Sequence, residues 1–135
     1  MSGDCLVALA MKLMRALIVT AHESLRREAV HFLEPRSFDC VEATDGISAL
    51  QFVSPDAIDL IVADVRLPKL DGPQFLDIVI EGAFGASPPP LIMCSATLHE
   101  HVWVRKLGLQ GVTLLDWPFT PAAFTAALEA AFPAG

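Results

Sequence analysis

The chain has 135 residues, enough for one domain with a hydrophobic core that needs no disulfide or metal to support it. Its formal charge of −7 argues against a nucleic-acid-binding surface, which requires clustered lysine and arginine side chains. Hydrophobic residues make up 53% of the sequence and charged residues only 19%. We therefore expect a homodimer face or a partner face to cover apolar surface that a small monomer leaves exposed.

The cysteines and the N-terminal segment indicate a cytoplasmic protein. Cys5, Cys40 and Cys94 are odd in number and lack metal-binding spacing, which argues against disulfides and a zinc site. No apolar run reaches the ~18 residues of a transmembrane helix, and the chain start lacks the basic region of a signal peptide. Residues 1–13 are interpreted as an N-terminal extension, either an apolar arm or the product of an upstream start codon, ahead of a domain at 14–135.

The periodicity of apolar residues predicts strands that alternate with helices along the whole chain. Strict alternation favours an α/β fold with a parallel sheet and right-handed crossovers. The predicted strands are 16–19, 39–43, a strand ending at Asp64, 91–95 and 112–115. The predicted helices are 23–33, a short helix with Ile47, Leu50 and Val53 on one face, 73–81, 99–107, and a last helix with N-cap Thr120 and a buried stripe of Phe124, Leu128, Ala131 and Phe132.

One segment carries most of the chemical information. Four apolar residues at 60–63 lead directly into Asp64, and a loop containing Pro68 and the pair Asp71-Gly72 follows. The apolar run is typical of a strand buried on both faces, which puts Asp64 at the strand's C-terminal end, where open parallel sheets place their chemistry. This segment resembles the phosphoacceptor region in the receiver domain of bacterial two-component response regulators.

The resemblance covers about 15–132 and implies a flavodoxin-like (βα)5 doubly wound fold with a five-stranded parallel sheet in the order 2-1-3-4-5. It implies that Asp64 is the phosphoacceptor and that Ser95, at the end of the fourth strand, is the switch hydroxyl. It also places Arg66, Pro68 and Pro118 in the loops around this site. The carbonyl of Arg66 would be a metal ligand by the same resemblance.

The chain departs from the receiver pattern at most of the positions that assist the phosphoacceptor. The acidic pair that holds Mg²⁺ maps onto Thr20 and Ala21, the lysine maps onto Trp117, and the aromatic switch position maps onto Leu114. Because Mg²⁺ prefers carboxylate oxygens, Asp64 forms a weak Mg²⁺ site at best, and no other metal or cofactor is expected. We expect ordinary phosphorylation of Asp64 to be severely impaired.

Several residues near the predicted site have simpler interpretations. Asp64 can be retained for the fold alone, as a group that caps a strand or bonds the next loop. His22 and Glu23 could replace the lost ligands, but residues at such positions more often begin a helix. The hydroxyls of Thr20 and Ser95 could accept phosphate from a Ser/Thr kinase, although bonding to local backbone is the commoner role.

The resemblance also indicates a partner surface formed by the predicted helix 99–107, the last strand and the last helix. Trp103, Val104 and Leu107 give this region more apolar residues than one buried stripe needs, and exposed tryptophan is a frequent interface anchor. Predicted helix 73–81 shows the same excess, which dense core packing explains equally well. The expected partner is a histidine kinase or another signalling protein, with no nucleic acid and no membrane.

The leading hypothesis is a single-domain response regulator in phosphorelay signalling, not an enzyme, with Asp64 as candidate phosphoacceptor. The alternative is a pseudo-receiver adaptor that binds a kinase or regulator independently of phosphorylation. A small α/β enzyme or flavin-binding protein is disfavoured. The loop 20–24 contains no glycine for binding phosphate, and Arg66 stands where a dehalogenase-type phosphatase needs a second aspartate.

Overall fold

The computed structural model describes residues 14–52, 57–65, 67, 69, 74–75, 78–79, 89–96 and 112–132. In this part of the chain the strands are β1 (Met14–Val19), β2 (Phe38–Ala43), β3 (Leu60–Ala63), β4 (Leu91–Ser95) and β5 (Thr113–Asp116). The helices are α1 (Glu23–Leu33), α2 (Gly46–Leu50) and α3 (Pro121–Ala131), and a 3₁₀ turn, Glu34–Arg36, follows α1.

The five strands form one parallel sheet in the order β2-β1-β3-β4-β5, which confirms the predicted order. Hydrogen bonds continue past the strand ends: Asp64 N–H donates to the Val19 carbonyl at 2.9 Å, and Trp117 N–H donates to the Ser95 carbonyl at 3.1 Å. These bonds place Asp64 beside the end of β1 and Trp117 beside the end of β4, all at the edge of the sheet where parallel strands end.

Hydrophobic residues cover both faces of the sheet. On β1, Leu17 and Val19 join a cluster with the β3 residues Ile61 and Ala63. Alternate β1 residues point to the opposite face, where the cluster includes Leu25 of α1 and Phe124 of α3. The central strands are therefore buried on both sides, as a continuous apolar run predicts.

The ends of the two long helices follow the predicted signals. α1 spans the predicted residues and buries Leu25, Ala29 and Leu33. The Thr120 hydroxyl accepts a hydrogen bond from Ala123 N–H at 3.1 Å, and Pro121 occupies the first position of α3. A polar cap followed by proline therefore predicted the start of α3 correctly.

The predicted face of the short helix is wrong at Ile47. Ile47 is 52% exposed, whereas Gly46 and Ala49 are buried. Leu50 packs against the core, and Val53 lies outside the described residues. The carboxylate of Asp45 accepts a hydrogen bond from Ser48 N–H at 2.7 Å and fixes where the helix begins. Because α2 ends at Leu50, after little more than one turn, the N-cap and not an apolar stripe determines which residues it buries.

Several predictions fall outside the described residues: the extension 1–13, helix 99–107, and with it Trp103, Val104 and Leu107, and the loop residues Arg66 and Pro68. Predicted helix 73–81 is described only at four positions, of which Phe75 and Val79 are fully buried and Ile78 is 36% exposed. Within the described ranges, no helix has the length and apolar character needed to cross a membrane.

Candidate functional site

The C-terminal ends of the strands surround a cavity of about 360 Å³. Asp64 follows β3, and Ser95 is the last residue of β4. Trp117 follows β5 and completes one wall of the cavity. The structure thus brings together Asp64, Ser95 and Trp117, which the sequence assigned to one site. The described residues that line the cavity are Ala21, His22, Leu25, Asp64, Ser95, Ala96 and Trp117.

Thr20 forms a side-chain hydrogen bond with Asp64 next to the cavity. Its hydroxyl donates a hydrogen bond to Oδ2 of Asp64 at 2.9 Å and accepts one from His22 N–H at 3.0 Å. Its backbone N–H donates to the Ala43 carbonyl at 3.0 Å. Thr20 is fully buried, whereas Asp64 is half-buried and His22 is exposed, so the buried hydroxyl makes both hydrogen bonds at the boundary of the core.

Arg26 fixes the backbone of the loop that carries Thr20. Its Nη1 donates to the Thr20 carbonyl at 3.1 Å, and its Nε lies 3.2 Å from Oε1 of Glu42 on β2. The guanidinium therefore ties α1 to the end of β1 and to a neighbouring strand. Sequence reasoning missed Arg26, since an arginine in the first turns of a helix carries no motif that distinguishes it.

His22 and Trp117 form the aromatic wall of the cavity. Nδ1 of His22 accepts a hydrogen bond from Leu25 N–H at 3.3 Å and caps α1. The His22 and Trp117 rings pack edge to face, with their centroids 5.6 Å apart and an interplanar angle of 71°. Trp117 packs in the same way against Phe119, with a centroid distance of 5.4 Å. His22 thus begins a helix, as its simpler interpretation held. The peptide bond between Trp117 and Pro118 is cis.

The family model described as the response regulator receiver domain matches residues 16–129. The chain belongs to this family. The alkaline phosphatase synthesis transcriptional regulatory protein PhoP of Bacillus subtilis (strain 168) is 31% identical over 116 residues, which are 86% of this chain and 47% of PhoP. The chain spans about half the length of PhoP and of the first matched relative, the transcriptional regulatory protein YcbL of the same strain.

Two solved receiver domains share the fold of this chain. The receiver of the hybrid histidine kinase CckA is 27% identical with a TM-score of 0.67, over 87% of this chain and 97% of that one. The non-phosphorylated HemR receiver of Leptospira biflexa has a TM-score of 0.76 at 23% identity, over 90% and 96% of the two chains, and shows the fold alone. The predicted family and flavodoxin-like fold are confirmed, and the chain's role lies in two-component signalling.

The residues of this receiver do not fit the Mg²⁺ ion that the family implies. A metal ion needs acceptor oxygens, but the Thr20 hydroxyl directs its hydrogen at Asp64, and Ala21 offers only a methyl group. Among the described residues, no three His, Cys, Asp or Glu side chains converge in a way that could hold a metal. Asp64 is the single carboxylate among the described residues that line the cavity.

The surroundings of the receiver site are acidic. Burial raises the pKa of the Cys94 thiol on β4, and the carboxylates of Asp64, Asp116 and Glu28 raise it further. The described cation at the loop after β3, Lys69, lies with its Nζ 3.8 Å from Oδ2 of Asp45. Lys69 therefore contacts the residue that caps α2.

The remaining predicted site positions that the structure describes, Leu114 and Pro118, do not line the cavity. Leu114, on the last strand in the sheet order, is 39% exposed and does not line the cavity. Pro118 is exposed directly after the aromatic wall. The roles given to these positions by the family resemblance stay predictions, as do the roles of Asp64 and Ser95.

Proposed function

We propose that this chain is an atypical receiver module that acts in the cytoplasm by binding a histidine kinase or another signalling protein, without enzymatic activity of its own. Residues 14–135 form the receiver and 1–13 an extension. The observation that carries the proposal is the hydrogen bond from the buried Thr20 hydroxyl to Asp64. A neutral donor stands where a phosphorylated receiver needs metal-binding carboxylates.

The chemistry of phosphoryl transfer supports this proposal. Transfer requires in-line positioning and positive charge close to the moving oxygens. The described residues that line the cavity include no lysine and no arginine, and the lysine position holds Trp117. The loss of one preorganised electrostatic group typically slows a reaction by about 10²–10³. We therefore expect acetyl phosphate to label Asp64 at least ~100-fold more slowly than it labels a receiver with a complete site.

A second candidate function is a phosphoswitch with a rebuilt site. It is favoured because Asp64 and Ser95 line the same cavity. A carboxylate oxygen of Asp64 would attack phosphorus, the bond to the leaving group would break, and acetate would depart from acetyl phosphate. The hydroxyl of Ser95 would then respond to the new charge.

Phos-tag electrophoresis after incubation with acetyl phosphate, with and without Mg²⁺, tests both candidates. The variants are Asp64→Asn and the matched control Asp39→Asn, which removes an exposed carboxylate paired with Arg15 at 3.3 Å. We expect no Mg²⁺-dependent shift in any variant. A rapid Mg²⁺-dependent shift, lost in Asp64→Asn and kept in Asp39→Asn, would overturn the first candidate. A slow shift that needs Asp64 but no Mg²⁺ would support the second.

We also propose that Trp103, Val104 and Leu107 form the partner or homodimer surface of this module. Leu114 is 39% exposed on the last strand and supplies apolar surface for the same interface. Sedimentation velocity of the wild type and a Leu114→Ser variant tests the homodimer. A wild type that sediments as a monomer over a wide concentration range would leave the surface to a different partner.

A further inference from the structure

Three apolar side chains meet at the edge of the sheet where the strands begin, opposite the candidate site. Met14, the first residue of β1, is 37% exposed, and its partner in the sheet register is Phe38, the first residue of β2. Phe38 is half-buried, as is Phe132, which follows α3, and the centroids of these two rings lie 6.2 Å apart. Met14, Phe38 and Phe132 form what we call the apolar rim.

The apolar rim is the outer margin of one core cluster. Alternation along β1 places Met14 on the same face as Ala16 and Ile18, which belong to the cluster with α1 and α3. Phe38 and Phe132 pack against that same cluster. Single exposed apolar residues are common on protein surfaces, whereas contiguous apolar patches mark sites of contact. The rim therefore extends the core to the surface at one place.

The chain enters the fold at this rim. Arg15 N–H donates to Oδ2 of Asp59 at 2.8 Å, and Asp59 N–H donates to the Arg15 carbonyl, also at 2.8 Å, so the start of β1 is fixed. Shortly before this point, residues 6–11 form an uncharged apolar run, Leu-Val-Ala-Leu-Ala-Met. A run of this length reaches roughly 20 Å when extended, more than enough to cross from β1 to its neighbour β2.

We propose that the apolar run 6–11 packs on the apolar rim of the same chain. Two residues, Lys12 and Leu13, join the run to Met14, and such a short connection keeps it at a high effective concentration beside the rim. A run from a second copy would have to reach the same rim from solution. Neither the run nor the rim carries a charge, so burial of apolar surface drives the contact.

This contact gives the N-terminal extension a structural role in the receiver. It leaves the candidate site accessible, because the rim lies where the strands begin and the cavity lies where they end. It also accounts for part of the apolar excess of the composition within one chain. The proposal goes beyond the proposed function and holds whether or not Asp64 accepts a phosphoryl group.

Paramagnetic broadening of amide signals in the full-length ¹⁵N-labelled chain tests the contact. A nitroxide is attached to Cys5, directly before the run, and mass spectrometry verifies that the fully buried Cys94 and the half-buried Cys40 stay unmodified. The same sample after reduction of the nitroxide is the reference. We expect stronger broadening at Phe38 and Phe132 than at Ile58, which precedes Asp59 near the chain entry but belongs to the other core cluster.

Two variants separate a specific contact from mere closeness to the chain entry. Leu9→Asp places a charge within the run and is expected to reduce the broadening at Phe38 and Phe132 to the level at Ile58. Ser2→Asp adds the same charge outside the run and is expected to behave like the wild type. Equal broadening at Phe38 and Ile58 in the wild type, or unchanged broadening in Leu9→Asp, would overturn the proposal.

A mixed sample distinguishes the same chain from a second copy. Nitroxide-labelled chain without ¹⁵N is combined with ¹⁵N-labelled chain that carries no nitroxide, so that any broadening at Phe38 and Phe132 arises between molecules. We expect no such broadening. Broadening in the mixed sample as strong as in the singly labelled chain would assign the run on the rim to a second copy and overturn the contact within one chain.

Discussion

Thr20 determines the chemistry at the residue scale, because its hydroxyl serves two polar groups at once. It satisfies one oxygen of Asp64 and the N–H of His22, while Arg26 holds its carbonyl. Removal of one partner from a buried hydrogen bond leaves the other partner unsatisfied, which costs more than the net value of the bond itself. The Thr20 side chain is therefore a structural element of this receiver.

Thr20→Val keeps the shape of the side chain and removes its hydroxyl. We expect the free energy of unfolding to fall by about 1–3 kcal/mol, since Asp64 and the His22 N–H each lose the partner of a part-buried hydrogen bond. Urea denaturation followed by circular dichroism measures the change. Thr44→Val, at an exposed position, is the matched control and is expected to change stability by less than ~0.5 kcal/mol. Equal effects of the two substitutions would remove the structural role of Thr20.

Asp45 makes the stability of the folded chain depend on pH. The Ser48 N–H that bonds its carboxylate, helped by the Ser48 hydroxyl and by Lys69, holds the pKa of Asp45 below its usual value. A folded-state pKa below the unfolded one stabilises the fold above the unfolded value of about 3.9, and this contribution is lost as pH falls through the lowered folded value. The lowered pKa of Asp45 therefore predicts that acid destabilises the fold.

Asp45→Asn tests this dependence, because asparagine also caps a helix but does not titrate in this range. Urea unfolding at about pH 6 and about pH 3 is compared for the two proteins. The wild type is expected to lose more stability between the two conditions than the variant does. An identical loss would mean that another carboxyl group is responsible.

At the element scale, α3 depends on its cap because its apolar stripe is narrow. The helix buries Phe124, Ala127 and Leu128, and its first turn is closed by the Thr120 hydroxyl. Phe124 contacts the rings of Phe119 and Phe32, so the cap also positions the aromatic side chains that connect α3 with α1. Because Phe119 also packs against Trp117, a displacement of the first turn of α3 would therefore move the Trp117 ring as well.

Thr120→Ala removes this cap. The expected loss is about 0.5–2 kcal/mol in the free energy of unfolding, the usual range for an N-cap threonine. Thr120→Ser is the matched control, because serine restores the hydroxyl, and it is expected to stay close to the wild type. Thermal denaturation of the three proteins measures the difference. A Thr120→Ser variant as unstable as Thr120→Ala would attribute the loss to the methyl group instead.

Elements with local signals could be predicted from the sequence, and contacts between distant elements could not. The apolar runs gave β3 and β4, and the Thr120-Pro121 pair gave the start of α3. Ile47 was misplaced because a helix of little more than one turn has no reliable apolar period. The bond from Arg26 to the Thr20 carbonyl depends on how α1 packs on the sheet, which no local pattern encodes.

The candidate site was predictable in its members but not in its geometry. The apolar run before Asp64 predicted that this residue follows a strand, and the family resemblance predicted that Trp117 lies near it, since parallel strands end at the same edge. The edge contact of His22 with Trp117 joins two loops that are far apart in the chain, and only the folded arrangement brings them together. The sequence therefore indicated which residues lie around Asp64, and the structure shows how Thr20, His22 and Trp117 contact one another and Asp64.

On the scale of the whole molecule, the sheet separates two apolar clusters. The thiols of Cys40 and Cys94 lie in or against one of them, which lowers their expected reactivity. Cys94 is fully buried in the cluster with α1 and α3, and Cys40 packs against that cluster from β2. Burial raises the pKa of Cys40 to about 11, and Glu34, Asp39 and Glu42 add to this effect. The reactive species of a cysteine is its thiolate, which is scarce at neutral pH for such a group.

We expect iodoacetamide to modify Cys40 and Cys94 at about pH 8 at least ~100-fold more slowly in the folded chain than in urea. A Cys5→Ser background restricts the signal to these two thiols, and mass spectrometry of time points gives the rates. The urea-unfolded protein is the control for intrinsic reactivity. Labelling of Cys40 in the folded chain as fast as in urea would show that β2 opens readily at its edge.

The place of each half of the site in the sheet has a consequence for amide hydrogen exchange. Thr20 follows β1 and Asp64 follows β3. These are inner strands of the sheet, and their residues 16–19 and 60–63 are almost entirely buried. Trp117 follows β5, the last strand in the order, where Leu114 is exposed. Local opening begins at such weakly protected elements. The amide hydrogens of β5 are therefore expected to exchange faster than those of β1, so the indole half of the site opens while the carboxylate half stays folded.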